Sequence, residues 1–489
     1  MFDSVKGFRD WDKIGKIFFV MSILLLFGMV FLIFKKFFIS TDELFTLGLI
    51  KLPIDYEIYV TAMDVHPPLY YLIVKFFVSF LPAGSDYHTL AIVSKLVSVI
   101  PYAVILFVSA FFFKRKYGWL TCGILSFTLA LMSSLFTNYI TMRMYSWSVL
   151  FLFLSFVSMY LILTEKENKY WALFTLFTIM GCYTHYFNIL SSVMLYLTLI
   201  CYMIYTWTDR SQIKKWFVSS AVVVLSYVPW MPTLFSQIIR VNEDFWLPQV
   251  TFQSIFNYLA YPFTISYGFI VQLLAIFMLF ALSIVAFRYF LENGNDENFY
   301  LISGILVFFL TLFAGAIISL IKEPILYDRY LLASISLVMV SISILLGKSR
   351  NNKVITIFLA LLLLLAAVNV YEDYKIIDCD QDTASIHEEF FAKVNNDDSI
   401  FIFDYSIQML CYGNFVNNAD VYCIHENYDD NLHKYIDYEK INSSEIEGII
   451  NKNPDKKIYY VTSGSPIGHE NHKVIDLFTE ISAYSIDKY

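Results

Sequence analysis

The chain has 489 residues, of which 58% are hydrophobic, 19% aromatic and only 16% charged. A soluble domain carries roughly 25% charged residues, so this composition, with a mean hydropathy of +0.60, excludes an ordinary soluble protein. The net charge of -8 is uneven: residues 372–489 carry 9 Lys/Arg against 23 Asp/Glu and residues 1–371 carry 25 against 19, and neither part shows the basic stripe of a nucleic-acid binder.

Several runs reach the ~20 apolar residues that a helix needs to cross a bilayer. The first, 14–34, is too long for the core of a signal peptide and has no small-residue cleavage site after it, so it reads as a retained span. Lys6, Arg9, Lys13 and Lys16 precede it and place the N-terminus in the cytoplasm. Further spans are predicted at 90–113, 118–137, 146–164, 170–189, 191–207, 216–236, 265–288, 299–320, 330–346 and 354–371. The run 67–81 is short and reads as a juxtamembrane helix rather than a span. With that choice 16 of the 25 basic residues of the front part fall on the cytoplasmic side. Eleven spans place residues 372–489 outside. The expected division is therefore a transmembrane domain over 1–371, with an outer loop at 37–89, and an acidic extracytoplasmic domain over 372–489. The localisation that follows is the cell (plasma) membrane, multi-pass.

The tail alternates strand-like runs (399–404, 420–425, 457–463) with helix-like ones near 406–413 and 443–451, a small three-layer α/β pattern. It has no phosphate-binding glycine loop, since SGSPIG lacks the Lys-Ser/Thr ending. The six cysteines show no metal-ligand spacing; a Cys411–Cys423 disulfide is compatible with the sequence, as are free thiols.

The first polar stretch outside the membrane, STDELFTLGLIKLPIDYEIYVTAMDVHPPLYY (40–71), concentrates Asp42, Glu43, Asp64 and His66 before a rigid Pro67-Pro68 step. Further polar residues fall on the same outer face: Arg143 and Tyr145 in TMRMYSWS, His185 and Tyr186 in YTHYFN, Trp246 with Glu243 and Asp244 in NEDFWLP, and Asp328, Arg329 and Tyr330 in LYDRYL. Each has a bland reading: a helix cap for the acids, a snorkelling role for the arginines, a satisfied core position for His185. Their gathering on one side points instead to a reaction centre at the membrane surface, because ionisable groups at membrane depth are costly and tend to be functional or paired.

STDELFTLG followed by DVHPPLYY resembles the first outer loop of the polyprenyl-phosphate-sugar-dependent glycosyltransferases with the GT-C fold, glycosyltransferase family 39, which include protein O-mannosyltransferases and lipid A aminoarabinose transferases. The likeness continues in order through TMRMYSWS, YTHYFN, YVPWMPTL and LYDRYLLAS. Two departures stand out: Tyr70-Tyr71 where the mannosyltransferases have Gly-Lys, and His66 where the aminoarabinose enzymes have Lys. The resemblance implies a sugar moved from a polyprenyl-phosphate donor to an outer acceptor (lipid, glycan or protein). Asp42 would be the general base and Glu43 its catalytic neighbour. Arg143 and Arg329 would face the leaving phosphate, with Lys35, Lys36 and Lys95 as weaker options. Asp64, His66, Tyr145, His185, Tyr186, Trp246 and Tyr330 would complete the substrate site. It implies no certain cofactor; a divalent metal at Asp64 and His66 stays open. A transporter or flippase is disfavoured because the charges lie on one face rather than at the midplane and no broken-helix pair marks an inverted repeat. A non-catalytic scaffold would leave the Asp-Glu and Arg-Met-Tyr positions tolerant to substitution.

Overall fold

The computed structural model describes residues 3–241, 247–349, 351–394, 398–413, 416, 419–425, 432–462, 472–478 and 481–486. In chain order the helices of the front part are α1 (Asp3–Lys35), α2 (Thr41–Lys51), α3 (Ile54–Met63), α4 (Leu69–Val78), α5 (Tyr87–Val108), α6 (Lys114–Leu131), α7 (Leu135–Ile140), α8 (Tyr145–Glu165) and α9 (Asn168–Cys182). They continue as α10 (Tyr186–Tyr205), α11 (Arg210–Tyr227), α12 (Met231–Val241), α13 (Phe252–Ala260), α14 (Phe269–Glu292), α15 (Asp296–Ile321), α16 (Leu332–Lys348) and α17 (Asn352–Val394). Nine stretches of the described residues are long and apolar enough to cross a membrane. One of them, Tyr87–Leu131, is two helices. Gly118 (φ 87°) breaks the run, at an angle only glycine adopts without strain, and the Tyr102 hydroxyl reaches the Ser126 carbonyl across the fold-back at 3.1 Å. Helix α9, 15 residues long, is shorter than those nine. Counting both, each of the eleven predicted spans falls on a helix. The protein is a multi-pass membrane protein.

The boundaries differ where polar residues interrupt apolar runs. The predicted span 118–137 stops at Leu131. The predicted span 170–189 stops at Cys182, and the chain restarts at Tyr186. His185 therefore lies at a break rather than inside a span. Its ring Nδ1 accepts the Phe187 N–H at 3.2 Å and caps α10, supplying a partner for one of the donors a helix start leaves free. The short α4 carries the 67–81 run, and with α2 and α3 it forms the set of short helices after α1.

The tail has strands β1 (Ser399–Tyr405), β2 (Asp420–His425), β3 (Glu439–Lys440), β4 (Lys457–Thr462), β5 (His472–Phe478) and β6 (Ile481–Ile486), with helices α18 (Ser406–Tyr412) after β1 and α19 (Ile446–Lys452) before β4. They form one sheet in the order β3-β2-β1-β4-β6-β5, in which β3, β2, β1 and β4 run parallel and β6 is antiparallel to β4. Alternation along β1 sends Ile400 and Ile402 to one face, with Ile446 of α19. It sends Phe401 and Phe403 to the other, where they join a core continuous with the membrane helices. No disulfide joins Cys411 and Cys423. The hairpin β5–β6 was not anticipated. Helix α17 is 43 residues long and runs unbroken past residue 371, from the last span into the tail.

The tail rests on the front part through α18 and α2. A Cβ at Gly48 would lie 2.3 Å from the Leu410 carbonyl oxygen, so the backbones meet there with no room for a side chain. The rings of Tyr56 and Tyr435 pack with centroids 4.5 Å apart.

Candidate active site

The α2 start is set by local chemistry. Ser40 and Glu43 form a capping box, with the Ser40 N–H and hydroxyl donating to Glu43 Oε2 at 2.9 and 3.2 Å; this reciprocal arrangement fixes a helix N-terminus. The other oxygen, Oε1, accepts from Lys95 Nζ at 2.6 Å and from the Met142 N–H at 2.8 Å. The Glu43 carboxylate is fully buried and both its oxygens are engaged.

Asp42 is the opposite case. Its side chain remains 42% exposed, and its Oδ2 lies 3.2 Å from Arg329 Nη2 and 3.7 Å from Arg143 Nε. The Arg143 guanidinium, with that of Arg329, holds the Asp42 carboxyl below the usual carboxylate range, against the opposing push of burial. Arg143 also donates to the Asp42 carbonyl at 3.1 Å and approaches His66 Nε2 at 3.1 Å. Since arginine only donates, His66 Nε2 is the acceptor there. His66 is held well below the usual histidine range by burial and then by Arg143. His185 is pushed down to about 3 by burial, then by Arg143 and Arg329. Both rings are therefore neutral at pH 7.

Asp64 ends α3 just before the diproline step. Burial pushes its carboxyl up to about 6, although Arg143 pulls in the other direction. Tyr145, Tyr330 and His185 form an aromatic wall: Tyr330 lies 4.9 Å from His185 and 6.3 Å from Tyr145, ring centre to ring centre. The Arg329 guanidinium sits 5.4 Å from the Tyr145 ring, a cation–π distance.

A cavity of about 320 Å³ opens beside this cluster. His66, His185, Tyr186 and Tyr330 line one part; Leu234, Ile238, Ile318 and Ile325 line the apolar part, with Lys322 and Glu323 also at its wall. The Tyr186 hydroxyl is bonded by Gln237 and Trp230. Among the described residues, the Nε atoms of Arg143 and Arg329 and the Tyr71 hydroxyl are buried and make no hydrogen bond. Such orphaned donors are costly unless a ligand satisfies them.

Ten of the eleven sequence-predicted site residues thus belong to one region at one end of the helix bundle; Trp246, like Glu243 and Asp244, lies outside the described residues. Among the described residues no group of three or more His, Cys, Asp or Glu is arranged to hold a metal. Sequence reasoning missed Gln237 and Arg240 of α12. Gln237 donates to the Thr61 and Ala62 carbonyls, and Arg240 to those of Ala62 and Met63 at 2.9 and 2.5 Å, bracing the end of α3 next to Asp64. The signal was present: α12 is an amphipathic helix with its only basic residue in the last turn.

No family model matches the chain, and neither does any curated protein. Solved structures do. The apo structure of ArnT from Cupriavidus metallidurans superposes with a TM-score of 0.59 at 9% identity, over 96% of this chain and 97% of that one. ArnT bound to undecaprenyl phosphate gives 0.53 at 9% identity over the same shares. An oligosaccharyltransferase from Archaeoglobus fulgidus gives 0.49 at 10% identity, over 92% of this chain and 69% of that one. The chain has the GT-C fold of membrane glycosyltransferases.

Proposed function

We propose that the protein is an integral membrane glycosyltransferase that moves one sugar from a polyprenyl-phosphate donor to an acceptor on the extracytoplasmic face. The acidic tail over 372–489 lies on that face in this reading. The observation that carries it is the convergence of Asp42, Arg143 and Arg329 next to an apolar cavity, with two buried arginine Nε atoms that make no hydrogen bond among the described residues. An acceptor hydroxyl or amine attacks the anomeric carbon and the bond from that carbon to the phosphate oxygen breaks. The acceptor's proton goes to Asp42. The leaving phosphate gains a negative charge, which Arg143 and Arg329 receive; their rigid fork suits phosphate oxygens.

The same ion pairs regulate the base. Paired to two arginines, Asp42 is a poor proton acceptor. When the donor phosphate draws the arginines, Asp42 loses counter-charge and its basicity rises. The neutral His66 and His185, with Asp64, Tyr145 and Tyr330, supply hydrogen-bonding and aromatic surface for the sugar. Glu43, with both oxygens engaged, acts by holding α2. The apolar part of the cavity accommodates the first units of the lipid, consistent with the undecaprenyl phosphate bound by ArnT.

The test is transfer of labelled sugar from polyprenyl-phosphate sugars in membrane vesicles carrying the wild type, Asp42→Asn or Arg329→Ala. Transfer by the wild type alone, at equal protein levels, supports the reading. Full activity in Asp42→Asn removes the assigned base; no transfer by the wild type with any donor removes the function.

A further inference from the structure

Lys95 lies on α5, 52 residues from Glu43 in sequence, and both side chains are buried, 3% and 0% exposed. The ammonium touches Glu43 Oε1 at 2.6 Å and the Ile140 carbonyl at 3.4 Å, and sits 3.8 Å from the Phe38 ring centre. Asp380 of α17 adds a second negative charge within electrostatic range of it. The lysine is thus committed to the interior and is not presented to the cavity.

The partner of this ion pair does structural work at one peptide unit. Glu43 Oε1 accepts the Met142 N–H at 2.8 Å, and the Thr46 hydroxyl, one turn along α2, donates to the Met142 carbonyl at 3.0 Å. Both polar groups of Met142 are therefore held by α2 side chains. The next residue is Arg143, whose guanidinium meets Asp42 and His66. Lys95 fixes Glu43 and the Ile140 carbonyl, the two sides of the turn that delivers Arg143.

A buried ion pair is weak evidence for stability, because desolvation offsets much of its attraction and well-packed apolar pairs often replace it without loss. What an apolar pair cannot do is accept the Met142 N–H. We propose that Lys95 is a positioning residue for the transfer reaction: its buried pairing with Glu43 locks the Met142–Arg143 turn to α2 and so sets the arginine that faces the leaving phosphate. This rests on the proposed glycosyltransferase reaction.

The experiment compares four variants in vesicles, with kcat and donor KM from labelled-sugar transfer and thermal unfolding of the purified proteins. Lys95→Met leaves the buried Glu43 carboxylate without its cation, and Glu43→Gln leaves Lys95 facing only Asp380, so each lowers Tm and reduces kcat by about 100-fold, the scale of a small misplacement at a reacting centre. The double variant Glu43→Gln/Lys95→Met removes both charges and keeps an acceptor for Met142; it recovers Tm and brings kcat to within about tenfold of wild type, a difference of ~1.4 kcal/mol. Glu43→Leu/Lys95→Met leaves the Met142 N–H and the Ser40 cap without their acceptor, so it is less stable than the Gln double variant and stays about 100-fold down in kcat, with donor KM little changed. A Lys95→Met variant with wild-type kcat, or equal kcat in the two double variants, overturns the proposal. A wild type that transfers no sugar instead overturns the reaction on which it rests.

Discussion

The candidate site and the tail sheet both pack against the same helix bundle, yet they handle polar groups in opposite ways. In the sheet, the backbone groups of β1 are taken up by β2 and β4 in parallel register, and its side chains separate into two apolar faces. At the site, charges are buried in excess of what local bonding consumes. Arg143 and Arg329 converge on one carboxylate oxygen, two neutral histidines adjoin them, and their Nε atoms remain unsatisfied. A sheet built that way would be unstable. A site is built that way when a ligand supplies the missing partner. Even adjacent residues follow the division: both Glu43 oxygens are closed in hydrogen bonds, while Asp42 stays partly exposed and faces two arginines.

The contrast breaks most visibly if the arginines are removed. In the proposed reaction Arg329→Ala deletes a cation facing the developing phosphate charge, and kcat falls by about 10²–10³, the loss typical of removing one such donor. Arg143→Lys keeps the charge and loses the fork that spans Asp42 and His66, so kcat falls by about tenfold. Transfer assays at saturating donor measure both. A charge-only role would leave Arg143→Lys at the wild-type rate.

The seam between the two regions gives a smaller effect. Gly48 has no space for a Cβ beneath Leu410, so Gly48→Leu forces α18 off α2 at a cost of about 1–3 kcal/mol of overpacking. Cys411, the residue after Leu410, sits close enough to the site that Asp42, Asp64 and Arg143 bear on its thiol. Displacing α18 therefore shifts Cys411 relative to Asp42 and Asp64, which on the proposed reading is where the acceptor enters. The expected outcome is a drop of about tenfold in kcat/KM for the acceptor with donor binding unchanged. If acceptor kinetics do not move, the tail is not a wall of the site.

How much of this was legible follows from the distance over which each feature is written. β1, β2 and β4 are short runs rich in Ile, Val, Phe and Tyr, and local patterns sufficed for them; in local structure the acids at 42–43 were read only as a helix cap, and the Ser40–Glu43 box was not. Apolar length revealed the spans. The break at His185 was hidden because Tyr183, Tyr186 and Phe187 keep the run apolar across it. The hairpin β5–β6 was missed because Asp476, Ser482 and Ser485 dilute its short runs. The gathering of Asp42, Arg143 and Arg329 was readable only as a shared side of the membrane; that they meet on one oxygen is a property of three-dimensional packing. The closed bonding of Glu43 was least legible, since its partners lie 52 and 99 residues away.

The comparison sharpens last at Asp64, where the open site and the cost of burial meet in one side chain. Burial pushes its carboxyl up from 3.8 to about 6, against the pull of Arg143, so Asp64 titrates in an accessible range while Asp42 stays ionised well below it. On the proposed reading the ionised form is the stronger acceptor for sugar hydroxyls and the counter-charge to Arg143, so the transfer rate falls as pH drops through about 6. Asp64→Asn lowers the rate several-fold at pH 8 and flattens that limb. Stability moves the other way. The folded state binds this proton more tightly than the unfolded chain, so between the two pKa values the unfolded chain carries fewer protons and stability falls as pH rises. In the wild type, Tm therefore declines while activity climbs across the same window, and in Asp64→Asn both trends weaken together. An acid limb that survives Asp64→Asn unchanged would assign the titration to another group and leave Asp64 a merely structural helix end.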